Sequence, residues 1–325
     1  MIDLPDIPAE PLSDQQLTEL ARLKTRYNRV MATGPFNLDD VFPATSDLAI
    51  LYAQLDDLNR CLDSFRPYNP AQAKNLREVF DTEYTYASNR IEGNSLSLRE
   101  TALVIHEGLT IGGKTLTDHL EAINHHEAIA LVREMAAASS PFTERELKDI
   151  HALILHGIDR ENAGRYRAVQ VGIRGTRIVF PAPLQVPQLM DEYFQDYLVQ
   201  KDQLHPVALA AMMHERLVNI HPFVDGNGRT SRLVMNLLLL RAGYPITIIQ
   251  PDEPSRQTYF DALNLARDGN DPAAFERFIA ENVKHWCIAY LKMLSPNGGE
   301  SERAKGLAFF KRIEPHLPPE NAPNS

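Results

Sequence analysis

Residues 221–232 read His-Pro-Phe-Val-Asp-Gly-Asn-Gly-Arg-Thr-Ser-Arg, and the next eleven, Leu-Val-Met-Asn-Leu-Leu-Leu-Leu-Arg-Ala-Gly, are mostly apolar. The apolar density and length of the second stretch predict a buried helix over 229–242, stopped at Gly243 with Pro245 just beyond. The first turn of such a helix leaves backbone N–H groups without partners, and its dipole favours negative charge there. Gly226 and Gly228 let the backbone approach a ligand closely and take positive φ, as a phosphate cradle requires. Arg229 and Arg232 are three residues apart and share one side of the helix start, where guanidinium groups grip phosphate oxygens bidentately. Asp225 supplies the hard oxygen ligand that Mg²⁺ accepts while keeping its waters and binding phosphate. His221, ordinarily with a pKa near ~6.5, suits the role of general base for a hydroxyl nucleophile. Taken together, these residues predict a nucleotide-dependent transferase site.

Composition frames this reading without adding chemistry. The chain has 325 residues, 44% hydrophobic and 23% charged, which is ordinary for a globular protein with a sizeable core and room for about two domains. A formal charge of −10, with no basic stretch to offset it, argues against nucleic acid as the main partner. Cys61 and Cys287 form neither a CxxC nor a disulfide framework and suit a reducing compartment. The first residues, Met-Ile-Asp-Leu-Pro-Asp-Ile-Pro, lack the basic and apolar regions of a signal peptide. The longest apolar run, near Leu237–Leu240, falls far short of the roughly 20 residues a membrane span needs. The expectation is a cytoplasmic protein without a membrane partner.

Periodicity places helices over about 46–62, 72–92, 97–108, 117–137, 143–156, 185–200, 205–219, 229–242, 255–268 and 272–294. Residues 1 to about 45 read as loosely structured. After the break at Ser295-Pro-Asn-Gly-Gly there is a short basic helix at most, then a tail expected to be partly disordered. This divides the chain into an N-terminal helical region (1–70), a core (71–294) and a short C-terminal tail (295–325).

Three further segments bear on function. The helix over 72–92 is closed by Gly93-Asn94, a C-cap pair, and carries Ser88 and Glu92 on one face. A carboxylate in a last turn opposes the helix dipole by about 0.3–1 kcal/mol. By spacing alone, Glu92 is either a solvated side chain at a frayed end or an anion met by a cation from elsewhere. Residues 168–180 hold two β-rich runs around Arg174-Gly175-Thr176-Arg177, which predicts a hairpin. Such an isolated hairpin either packs for structure or offers its edge, through Val171, Gly172, Ile173, Arg174 and Gly175, to an extended peptide. In Arg256–Asn264, Tyr259 and Phe260 are either core aromatics or rings that stack on a base.

At every specified position, residues 221–232 resemble the motif of the Fic family (filamentation induced by cAMP), His-Pro-Phe-x-(Asp/Glu)-Gly-Asn-Gly-Arg-x-x-Arg. Ser88-Asn89-Arg90-Ile91-Glu92-Gly93 also resembles that family's inhibitory motif, (Ser/Thr)-x-x-x-Glu-(Gly/Asn), placed upstream of the active motif. The resemblance covers roughly residues 70–290. It implies an all-α, Fic-type helical bundle with a small β-hairpin flap over the active site. The implied activity is a protein adenylyltransferase that moves AMP from ATP, with Mg²⁺, to a Tyr, Thr or Ser hydroxyl of a target protein presented as an extended segment.

Under that resemblance His221 is the base and Asp225 the metal ligand. Gly226, Asn227 and Gly228 form the anion hole, with Arg229 beside the phosphates and Arg232 at the γ-phosphate. Tyr259 and Phe260 border the adenine, although Arg267 and Asp268 stand where several relatives place a polar contact to the base. Ser88 and Glu92 belong to the inhibitory helix, in which Glu92 pairs with Arg232; in some relatives the same Glu directs a water that removes AMP. Self-AMPylation is expected, and a homodimer is compatible with the analogy. The alternatives are a Fic-type transferase of another nucleotide or phosphate-containing group, and a silent nucleotide-binding regulatory module. A zinc hydrolase is a poor rival: His214-Glu215 begins an HExxH motif, but Val218 stands where the second His belongs.

Overall fold

The computed structural model describes residues 13–31, 38, 41–172, 178–295 and 303–318. Among these residues the α-helices are α1 (Asp14–Met31), α2 (Leu48–Asp63), α3 (Pro70–Ile91), α4 (Leu98–Glu107), α5 (Leu116–Ala137), α6 (Glu144–Ile154), α7 (Val186–Gln200), α8 (Pro206–Ile220), α9 (Asn227–Arg241), α10 (Glu253–Arg267), α11 (Ala274–Leu294) and α12 (Arg303–Ile313). The limits of α2 to α11 lie within two residues of those expected from periodicity.

Local chemistry explains why these boundaries were legible. Ser97, Thr115 and Thr143 each form a reciprocal capping box with an acidic residue three positions on, Glu100, Asp118 and Glu146. Asn69 caps α3 ahead of Pro70, and Asp252 caps α10 ahead of Pro254. Gly108 closes α4 in the left-handed conformation, at φ 65°.

The helices are layered around α9, which packs against α8, α5, α6 and α3. From Arg229 to Leu239 every residue of α9 is buried, so this helix is the axis of the core. Beyond it, α11 joins α2, α8 and α10, while α12 packs on α2 and α1 packs on α12. No helix among the described residues is long and apolar enough to cross a membrane.

Two expectations need correction. Residues 14–31 are helical rather than loose, with Arg26 buried and ion-paired to Glu314. The β-hairpin flap is not present as a strand pair: no described residue is in a strand, and Ile173, Arg174 and Gly175 lie outside the described residues. At the base of the segment, side chains bridge the two arms instead. Gln170 Nε2 donates to Phe180 O at 3.0 Å, and Arg167 Nη2 donates to Pro181 O at 2.6 Å.

The C-terminal segment is bound into the core through Phe309, Phe310 and Ile313. Phe309 stacks on Phe65 at 4.8 Å, and Phe310 meets Tyr27 edge-on at 5.5 Å. Phe310→Ala is therefore expected to lower the unfolding free energy by roughly 3–5 kcal/mol. Urea titration checks this, and a loss below about 1 kcal/mol would separate α12 from the cooperative core.

Candidate active site

The helices α8 and α9 are joined by six residues, 221–226, and His221 opens the turn. It is the one non-glycine among the described residues with positive φ, at φ 51° and ψ 57°. That conformation is costly for a side chain bearing Cβ and persists only where the surroundings enforce it. Three contacts enforce it here. The His221 N–H donates to Leu217 O at 2.9 Å, Arg167 Nε donates to His221 O at 2.8 Å, and the Arg167 N–H donates to Pro222 O at 2.9 Å.

The imidazole is fixed as firmly as its backbone. Phe180 stacks on it at 3.9 Å, and Nδ1 lies 3.3 Å from Val218 O. A carbonyl can only accept, so Nδ1 carries the proton and Nε2 keeps its lone pair. Burial, and then the positive charge of Arg167, outweigh the Val218 carbonyl and nearby carboxylates, bringing the pKa down to about 4. His221 is thus a neutral base at physiological pH.

The rest of the turn is held by side chains that point away from the site. Asn227 bonds the backbone of Phe223 twice: Oδ1 accepts from Phe223 N and Nδ2 donates to Phe223 O, each at 2.9 Å. Its side chain is therefore spent on the turn, and only its backbone is left for an anion. The Phe223 ring is fully buried and stacks on His151 at 3.6 Å. His151 Nδ1 accepts from Gly164 N at 3.0 Å and Nε2 donates to Asp225 O at 2.9 Å.

The start of α9 has no side-chain cap; Gly226 occupies the N-cap at φ 75°. Its first turn keeps N–H groups and dipole available to an anion. Above this turn lies Glu92. A Cβ at Gly228 would overlap Glu92 Oε1, so the carboxylate rests directly against the glycine backbone. Arg232, only 1% exposed, donates from Nη2 to Glu92 Oε1 at 2.8 Å and to Ser88 O at 2.8 Å, and from Nε to Ser88 Oγ at 3.0 Å. Burial opposes its charge, but Glu92 more than compensates and holds the guanidinium above its ordinary range. Arg229, also buried, donates to Glu121 Oε1 at 2.8 Å and to Asp225 Oδ2 at 3.2 Å. The Asp225 side chain is otherwise open, at 67% exposure.

The structure thus brings together His221, Asp225, Gly226, Asn227, Gly228, Arg229, Arg232, Ser88 and Glu92. Tyr259 is different: it is 2% exposed, bonds His214 Nε2 at 3.2 Å and is surrounded by Phe275 and Phe278, so it is a core ring here. Phe260 is the half-buried member of the pair, and Arg256 lies over its face at 5.0 Å. Of the residues expected to receive the target, Val171 and Gly172 lie in neither helix nor strand, and Ile173, Arg174 and Gly175 lie outside the described residues. Sequence reasoning missed Glu121, Arg167 and His151. None of the three belongs to the motif, and only their distance in space ties them to it.

The Fic/DOC family signature matches residues 141–239, which span α6, α7, α8 and most of α9. The chain belongs to the Fic/DOC family. It is 36% identical to the protein adenylyltransferase Fic of Aedes aegypti over 74% of this chain and 47% of that protein. Its identity to the like-named protein of Nematostella vectensis is 33%, over 85% of this chain and 66% of that one. The chain therefore spans about half to two thirds of the length of these curated relatives. The solved structure of a Fic-domain signaling protein from Bacteroides thetaiotaomicron superposes with a TM-score of 0.68 at 27% identity, covering 78% of this chain and 98% of that one. The all-α Fic fold expected from the motif is the fold observed.

A divalent cation fits this Fic site in one way. Among the described residues no group of three His, Cys, Asp or Glu side chains could enclose a metal ion. The open carboxylate of Asp225, beside the uncapped start of α9, is a hard oxygen donor of the kind that Mg²⁺ shared with a ligand's phosphate oxygens would use.

The buried histidines also set the pH response. Burial drives His151 down to about 4, and burial together with the Arg232 charge drives His125 and His214 well below 6.5. The unfolded chain therefore binds protons more readily, and stability is expected to fall as pH drops from 6.5 toward 4, by up to about 1.4 kcal/mol per group per pH unit. Urea unfolding at pH 7 and pH 5 checks this; equal midpoints would mean that the three histidines are protonated in the folded state.

Proposed function

We propose that this chain is an ATP- and Mg²⁺-dependent protein adenylyltransferase restrained by Glu92. The observation that carries this reading is the pairing of Arg232 with Glu92 directly over the Gly228 backbone. A complete polyphosphate cradle is occupied by a carboxylate from another helix. The relatives named as adenylyltransferases support the same activity.

In the reaction, His221 Nε2 takes the proton of a Tyr, Thr or Ser hydroxyl on the target while that oxygen bonds to the α-phosphorus of ATP. The bond from the α-phosphorus to the bridging oxygen breaks, and pyrophosphate leaves. A neighbouring polyphosphate counters the positive field of Arg167 and raises the basicity of His221 during the step. Backbone N–H groups of Gly226, Asn227 and Gly228 accommodate phosphate oxygens, with Arg229 beside them and Arg232 at the γ-phosphate. Asp225 would hold Mg²⁺, whose contribution when bound would be to neutralise charge on the nucleotide.

Phe260 with Arg256 borders the base, and Tyr259 supports that wall from within the core. A groove of about 670 Å³ lined in part by Tyr86, Arg90, Gln250 and Arg256 opens beside the end of α3. Residues 171–175 receive the target as an extended segment. We take 71–294 as the catalytic unit, with 1–70 and 295–325 as flanking supports. Self-modification follows from the high effective concentration of surface hydroxyls, and a homodimer and a de-AMPylating role for Glu92 fit the same site. The buried free thiols of Cys61 and Cys287 suit the cytoplasm.

Intact-mass analysis after incubation with ATP and Mg²⁺ tests the reading. Glu92→Gly is expected to gain AMP, the wild type little or none, and Glu92→Gly/His221→Ala none. Within the Glu92→Gly background, Arg232→Ala is expected to reduce transfer roughly a hundredfold, the scale of losing one preorganised charge-stabilising group. Undiminished transfer in that variant would sink the role of Arg232. Absence of an adduct on Glu92→Gly despite ATP binding would move the reading to another transferred group.

A further inference from the structure

Each arginine of the cradle is paired with a carboxylate from outside the motif, and the two pairs differ in kind. Glu92 is the C-cap residue of α3, outside the helix body, with its side chain 37% exposed. Glu121 lies inside α5 with its side chain 17% exposed, and both of its oxygens are engaged. Oε1 accepts from Arg229 Nη1, and Oε2 accepts from Asn94 Nδ2, both at 2.8 Å. Its carbonyl accepts from Asn89 Nδ2 at 3.2 Å.

Asn94 is buried and follows Glu92 by two residues. Its Nδ2 also donates to Asp118 O at 3.0 Å, its N–H to Asn89 O at 3.1 Å, and its own carbonyl accepts from Arg90 Nη1 at 2.9 Å. One carboxylate therefore fastens the phosphate-side arginine with one oxygen and the turn behind the inhibitory glutamate with the other. A carboxylate fixed within a helix cannot leave when a polyphosphate arrives, so it keeps the guanidinium plane of Arg229 oriented instead of competing for the site.

We infer that Glu121 is a positioning residue that couples the phosphate cradle to the inhibitory helix: it aims Arg229 and, through Asn94, holds the turn that delivers Glu92 to Arg232. The inference rests on the nucleotide reading of the cradle, and its two halves separate by substitution. Asn94→Ala cuts the link to the turn without touching Arg229. Glu121→Gln keeps the shape but replaces one acceptor with an NH₂ group, which faces either the guanidinium or the Asn94 amide as a second donor.

Calorimetric titration of the whole chain with ATP and with ADP, both with Mg²⁺, tests each half without relying on transfer. The wild type is expected to bind ATP no more tightly than ADP, because Glu92 occupies the γ-phosphate partner. Asn94→Ala is expected to prefer ATP roughly tenfold, as Glu92→Gly does, and to add nothing in the Glu92→Gly background. Glu121→Gln/Glu92→Gly is expected to bind both nucleotides roughly tenfold more weakly than Glu92→Gly, at an unchanged melting temperature. Should Asn94→Ala fail to fold, Asn94→Ser carries the same expectation. An Asn94 variant with the wild-type ratio of ATP to ADP affinity overturns the link to the turn. A Glu121→Gln/Glu92→Gly protein with undiminished affinity overturns the aiming of Arg229. Failure of Glu92→Gly itself to bind any nucleotide would overturn the nucleotide reading, and the inference with it.

Discussion

Arg232 carries a positive charge into a part of the fold from which water is excluded, and its surroundings are organised around that charge. An unpaired guanidinium there would cost several kcal/mol, so the site must always offer it an anion. Ser88 supplies two neutral acceptors, and Glu92 supplies the countercharge. The same requirement makes the contact exchangeable: any ligand that brings its own negative charge can take over from Glu92 without leaving Arg232 bare. Glu92 and an incoming anionic ligand are then two ways of satisfying one buried group. The charge also reaches further, since it adds to burial in keeping His125 and His214 neutral.

Around this centre the fold supplies rigidity from parts distant in the chain. Arg167 is buried, although its guanidinium makes no ion pair among the described residues; it donates to the carbonyls of Val169, Pro181 and His221. Those three bonds join both arms of the segment over the site to the strained residue that begins the α8–α9 turn. His151 does comparable work from below, stacked on Phe223 and bonded to Asp225 O and Gly164 N. Turn, overlying segment and supporting helix are thereby held as one unit, which is how a left-handed histidine persists at the site.

The legibility of the sequence varied with the range of the interaction. Capping boxes at Ser97, Thr115 and Thr143 act within four residues, and the helices they begin were placed closely. The helix α1 escaped notice because its support is distant: Arg26 pairs with Glu314, nearly the length of the chain away. The two β-rich runs around residues 174–177 suggested a ladder, whereas the described parts of the arms are joined by the side chains of Arg167 and Gln170. In Arg256–Asn264 the aromatic pair was legible, but which ring faces the core was not, because helical spacing cannot tell which side of α10 meets Phe275 and Phe278.

By itself the sequence determined the chemistry that one continuous segment can encode: a base, a carboxylate, a glycine cradle and two arginines before a buried helix, with a serine and a glutamate four apart on another helix. Local spacing carries that information because each of these relations spans a few residues. Only the tertiary structure decided which partners the charged groups have. Glu92 reaches Arg232 across 140 positions and Glu121 reaches Arg229 across 108, and no local pattern contains either pairing. The protonation state of His221 was settled in the same way, by Phe180, Arg167 and Val218 closing around it. Burial and long-range charge are properties of the packed chain, so they come into existence only when the helices assemble.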